Sequence, residues 1–156
     1  MQKHFTFIII LSFTFFGACH KKELPKTSVK DKLSPEKTIT STVIKDAIIN
    51  PDVDMSNTGN AYTIDSLKII ADVLSVFVSY PGCCTENSFE LYSNGMYAKS
   101  LPPQLSLCLK HTSKGDPCRR LVTQELKFNI LKLKYPGKNT VILKLGDTKR
   151  VTYISK

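Results

Sequence analysis

From Tyr62 onward, apolar and polar positions alternate with a period of two. Leu74, Val76, Val78 and Tyr80 interleave with Val73, Ser75, Phe77 and Ser79, and Leu105, Leu107 and Leu109 interleave with Gln104, Ser106, Cys108 and Lys110. Leu126, Phe128 and Ile130 alternate with Lys127 and Asn129, and Val141, Leu143 and Leu145 with Ile142 and Lys144. A period of two predicts strands with one face buried and the other in water. Turn-forming clusters punctuate the runs at Tyr80-Pro81-Gly82, Ser93-Asn94-Gly95, Leu101-Pro102-Pro103, Lys114-Gly115-Asp116-Pro117, Tyr135-Pro136-Gly137 and Gly146-Asp147. Roughly seven such strands, with no long 3.6-period segment between them, predict an all-β domain: an antiparallel, immunoglobulin-like β-sandwich, with a small β-barrel as the alternative.

Upstream of Tyr62 the pattern changes. Val43 to Ile49 is a short apolar piece, a first strand or a helical turn, and Asn50-Pro51-Asp52 stops it. From His20 to Thr42 the chain carries Pro25, Pro35 and many Lys, Ser and Thr, with only scattered aliphatic residues. Such a composition buries too little apolar surface to offset the entropy of ordering it, which predicts a flexible tether over residues 19–42 and a single folded domain over 43–156.

The N-terminus departs furthest from the alternating pattern. Lys3 and His4 precede a mostly apolar run from Phe5 to Phe16, followed by Gly17-Ala18-Cys19. The run is shorter than the ~20 residues that span a bilayer and reads as a secretory signal peptide over residues 1–18. Gly17-Ala18-Cys19 resembles the lipobox of bacterial lipoproteins, with Phe16 where an aliphatic residue is usual. That resemblance implies acyl chains on Cys19 and a membrane as partner, held without any spanning helix because two or more chains make anchoring stable. His20, in place of the Asp that retains some lipoproteins at the inner membrane, points by analogy to the outer membrane, facing either the periplasm or the cell surface.

Charge adds little to this picture. The chain has 22 Lys and Arg against 13 Asp and Glu, a net charge of +9 that falls to +8 when Lys3 leaves with the signal peptide. The lysines are spread along the chain, no nucleic-acid-binding motif is present, and no nucleic-acid partner is expected. An envelope protein partner fits better.

Setting Cys19 aside leaves Cys83, Cys84, Cys108 and Cys118, an even number compatible with disulfides in an exported protein. Four cysteines allow three pairings, of which Cys83 with Cys84 is the least favourable because a ring closed between neighbours is strained. Cys108 sits on the non-aliphatic side of its strand, open to pairing with Cys83, to an intermolecular bond or to a free thiol beneath a loop.

The stretch Ser79-Tyr80-Pro81-Gly82-Cys83-Cys84-Thr85-Glu86-Asn87-Ser88-Phe89, with Pro102-Pro103-Gln104, His111 and Asp116-Pro117-Cys118, resembles an uncharacterised Bacteroidota lipoprotein family with a Gly-Gly-Cys…Pro-Pro…His…Asp-x-Cys pattern. The likeness covers about Tyr62 to Tyr153. Phe89 sets the register, so Cys84 matches the family cysteine, Cys83 replaces a glycine, and Asn87 stands where the family has His. The resemblance implies a bridge between Cys84 and Cys118.

The same residues carry a second expectation. Cys83, Cys84, His111 and Cys118, if gathered by two turns, have the thiolate and imidazole chemistry that suits zinc or copper. Against it stand the absence of any Cys-x-x-Cys or His-x-x-x-His pair, the loss of thiolates in a disulfide, and Asn87 as a poor ligand. No cofactor and no metal is the favoured expectation.

No catalytic residue is nominated, and the chain is expected not to be an enzyme: there is no Gly-x-Ser-x-Gly elbow, phosphate-cradling loop or paired-carboxylate signature, and His111 stands alone as a base. His111 reads as a polar residue at a strand end, and Asp116 before Pro117 as a turn initiator. Tyr92 and Tyr97 flank Ser93 to Met96 and are expected to clasp a hairpin; stacking on a glycan, as in an accessory subunit of a surface uptake system, is the alternative. The sequence therefore predicts a lipid-anchored envelope protein whose sandwich acts by binding or as a structural part.

Overall fold

A computed structural model describes residues 38–82, 85–115, 117 and 119–156, with side chains from Val43 onward. The signal peptide, Cys19, most of the expected tether, Cys83, Cys84, Asp116 and Cys118 lie outside the described residues.

The domain is nearly all β. Among the described residues ten strands form two sheets: β1 (Thr38–Asp46), β2 (Ile48–Ile49), β3 (Thr63–Ile70), β4 (Val73–Pro81), β5 (Asn87–Ser93), β6 (Tyr97–Ala98), β7 (Gln104–Ser113), β8 (Leu121–Asn129), β9 (Thr140–Leu145) and β10 (Lys149–Ile154). One sheet has the order β1-β8-β4-β3, the other β10-β9-β7-β5-β2, with β6 also on β7. Neither closes into a barrel; the architecture is a sandwich.

Alternation built the faces as the sequence predicts. Leu74, Val76, Val78 and Tyr80 of β4, Leu105, Leu107 and Leu109 of β7, Leu126 and Phe128 of β8, and Val141, Leu143 and Leu145 of β9 all fill the core. Two expectations fail. The sheets are mixed rather than purely antiparallel, because β1 runs parallel to β8, β2 to β5 and β7 to β9. Burial of one strand face is indifferent to the direction of the neighbouring strand, so alternation could not reveal this. Ser93 to Met96 is also not a hairpin: β5 and β6 both pair antiparallel with β7, as one strand broken at Gly95. The reversal lies between Ala98 and Gln104 instead.

The first strand starts at Thr38, inside the Thr-rich stretch that composition assigns to the tether. It crosses between the sheets at the buried Ala47, whose N–H donates to Asn129 O (2.9 to 3.0 Å is the usual range; here 3.0 Å) before β2 joins β5. β1, β3, β5, β8 and β10 run downward from one end, termed the upper, and β4, β7 and β9 run back up. Among the described residues no helix is long and apolar enough to cross a membrane.

Candidate functional site

The core changes character along its length. Its lower and middle parts are mainly aliphatic, with Phe128 and Tyr153 as buried aromatics; at the upper ends of β4, β5, β7 and β8, Tyr62, Tyr80, Phe89, Asn87, Gln124 and His111 meet. His111 continues the inward series Leu105, Leu107 and Leu109, so it is a core residue, 2% exposed, and not a polar strand-end residue. Its ring stacks on Phe89, directly opposite on β5, with centroids 4.3 Å apart and planes within 5°. Tyr80 tilts against it at 5.1 Å, and Tyr62 meets it edge-on at 6.1 Å.

Its backbone is held as tightly. Beyond the reach of β9, the free edge of β7 is taken by the β2–β3 loop: His111 N donates to Thr58 O and Asn60 N to His111 O, both at 2.9 Å. That loop keeps its shape through successive Asx turns, in which Asn50, Asp54 and Asn57 side chains accept from Asp52, Ser56 and Gly59 N–H groups. Gly59 lies flat against β7, where an added Cβ would stand 2.1 Å from His111 O.

The tautomer of His111 follows from its partners. Asn87 Nδ2 donates to Thr85 O at 3.0 Å, which fixes the amide orientation and turns Asn87 Oδ1 toward His111 Nε2 at 2.9 Å. A carbonyl oxygen only accepts, so Nε2 carries the proton and Nδ1 is a bare lone pair. Among the described residues Nδ1 is buried and has no hydrogen-bond partner. Burial also pushes the His111 pKa down, keeping the ring neutral. A general base must reach the proton it takes, and this ring is enclosed by aromatic side chains. What the arrangement offers chemically is a neutral acceptor or ligand nitrogen facing inward.

The flanks of the two upper connections are tied together. Gly82 N donates to Arg120 O at 2.9 Å, and the Thr85 and Ser113 hydroxyls lie 3.4 Å apart. Of the residues named for a disulfide or a metal, only His111 and Cys108 fall among those described. They do not meet: His111 faces the core, and Cys108 faces the other side of β7. Cys108 is a free thiol, 3% exposed, beneath the β2–β3 loop with Sγ 3.7 Å from Asn57 O. Burial raises its pKa. Among the described residues no group of three or more His, Cys, Asp or Glu could hold a metal.

Tyr92 and Tyr97 part company as well. Tyr92 lies on the outer face and donates to Glu90 Oε2 at 2.7 Å; Tyr97, opposite the inward Leu105, packs edge-on against Tyr135 at 5.0 Å. They neither clasp a hairpin nor form one stacking platform.

Sequence reasoning missed Tyr62 and Gln124, and weighed Asn87 only as a poor metal ligand. The signal for His111 was present, since counting by two from Leu105 reaches it. Comparison with protein-family models, curated proteins and solved structures finds no match to this chain.

Proposed function

We propose that this protein is a lipid-anchored component of a bacterial cell envelope, held in the outer membrane through Cys19, whose sandwich acts by binding or as a structural part. The observation that carries the reading is the run from Lys3 to Cys19, a signal peptide ending on a lipobox-like Gly17-Ala18-Cys19. The domain's first strand begins 19 residues beyond that cysteine, at Thr38, which leaves a spacer between lipid and fold. A disulfide between Cys84 and Cys118 completes the proposal: both lie in connections whose described flanks are tied together, and exported domains of this size use such bridges.

The test is to express the full chain in a Gram-negative host with an alkyne-bearing palmitate analogue. Label should appear on the wild type in the outer-membrane fraction and disappear from Cys19→Ser. An unlabelled, freely soluble wild type would sink the reading.

One observation favours a second reading. The bare Nδ1 of His111 is the kind of nitrogen that binds zinc or copper, so a metal-binding or thiol-redox protein built on Cys83, Cys84, His111 and Cys118 is the alternative. Counting free thiols in the denatured protein before and after reduction separates the two. The disulfide reading expects two more thiols after reduction, whereas four unbridged thiols with a stoichiometric metal would install the alternative.

A further inference from the structure

The lower end of the sandwich, away from the His111 cluster, gathers the exposed apolar side chains. Of the ten exposed large hydrophobic residues among those described, all but Val43, Ile44 and Leu121 sit there. A soluble surface tolerates scattered apolar residues, but a cluster at one end marks an interaction site. Leu101 is the extreme case at 91% exposure.

Leu101 is held out, not left loose. Ser100 N donates to Ala98 O at 2.9 Å, Ser100 Oγ to Pro102 O at 2.7 Å, and Ile142 N to the carbonyl of the buried Pro103 at 2.9 Å. The β6–β7 turn is thus fastened to the sheet on both sides of its tip. Beside it lies an open groove of about 480 Å³ lined by Lys99, Leu101, Pro103, Tyr135 and Lys138. No carboxylate lines it, and among the described residues neither lysine forms a salt bridge. At this end Asp46 and Asp72 are already engaged by Lys132 and Lys134.

We propose that this tip is a second membrane contact, in which Leu101 enters the acyl boundary of an anionic lipid surface while Lys99 and Lys138 meet its headgroups. The chemistry is layered as an interface requires: one aliphatic side chain foremost, a half-buried tyrosine behind it, and two cations at the rim. A contact of this kind is weak alone and gains from a nearby anchor, so it rests on the proposed lipid at Cys19 for proximity. The 18 residues between Cys19 and Thr38 reach roughly 60 Å when extended. That exceeds the roughly 33 Å length of a ten-residue strand such as β7, so the lower end can face the membrane although β1 starts at the upper one.

The chain has no tryptophan, so Leu101→Trp places a single emitter at the tip. The lipidated full chain is reconstituted on vesicles of phosphatidylcholine alone and of phosphatidylcholine with phosphatidylglycerol. The expected result is a blue-shifted emission, quenched by brominated acyl chains, only on the anionic vesicles. Adding Lys99→Gln and Lys138→Gln should weaken tip docking about 30-fold, near fivefold for each lysine. Water-like emission on both vesicle types, from protein that floats with them, would overturn the tip contact and leave the anchor standing. An equal blue shift on both would overturn the role of the lysines. Failure to float, with no palmitate label, would instead count against the anchor.

Discussion

His111 is a neutral imidazole shut into an aromatic cage, and its titration contributes to the acid response of the fold. An unfolded His takes a proton near pH 6.5, whereas burial holds the folded one lower. As pH falls below about 6.5 the unfolded chain therefore binds the proton first, and stability declines until the folded pKa is reached. Denaturant midpoints should drop between pH 7 and pH 5 for the wild type and change less for His111→Phe; parallel profiles would refute this role. The backbone of the same residue gives a second prediction. Gly59→Ala sets a methyl 2.1 Å from His111 O at φ +75°, so the loop must leave β7. A loss of more than about 2 kcal/mol is expected in equilibrium unfolding, because the obstacle is backbone and cannot rotate aside.

Among the elements, the β3–β4 connection is the one place where a non-glycine residue among those described adopts positive φ. Ala71, at 52°, occupies the first position of a two-residue turn between Ile70 and Val73, where glycine is usual. Ala71→Gly should raise stability by about 0.5 to 1 kcal/mol, readable as a higher melting temperature; a lower one would show that chain entropy outweighs the steric relief. The turn stays fixed because Asp72 accepts from the buried Tyr153 hydroxyl and its carbonyl accepts from Ile130 N.

How much of these elements the sequence disclosed depends on what each one needed. Where a strand has one wet face, as in β4, β7, β8 and β9, the aliphatic residues of the core face were legible from alternation, whereas Ser75 and Cys108 are buried on the opposite face. Pairing partners were not, since Leu105 is buried equally well beside a parallel β9 or an antiparallel neighbour. The break at Gly95 looks like a hairpin turn, and only the distant β7 edge makes β5 and β6 collinear. At the site, His111 was legible as a singular residue but misplaced. Its environment is assembled by Asn87, Tyr62 and Gln124 from three other segments, which no local pattern connects.

On the scale of the whole molecule, the two ends differ: His111 with its aromatic and amide partners lies above, and exposed aliphatic residues lie below with Lys99 and Lys138, which form no salt bridge among the described residues. The proposed Cys84 to Cys118 bridge would close a 35-residue loop across the upper end and contribute roughly 3 to 4 kcal/mol. Reduction should lower the unfolding free energy by that amount, and Cys84→Ser with Cys118→Ser should remove the effect. Throughout, Cys108 is an internal control. Its buried thiol should react with a thiol reagent only after unfolding, whether or not the protein has been reduced.

The parallel pairing of β1 with β8 has a consequence in time. Thr38 meets Thr123 and Asp46 meets Asn129, so the first strand made docks against one of the last. A chain delivered N-terminus first, from a ribosome or through a translocation pore, holds β1 without its neighbour until more than 80 further residues have emerged. Contacts so distant along the chain slow folding. The sandwich is thereby wired to stay open until its delivery is nearly complete.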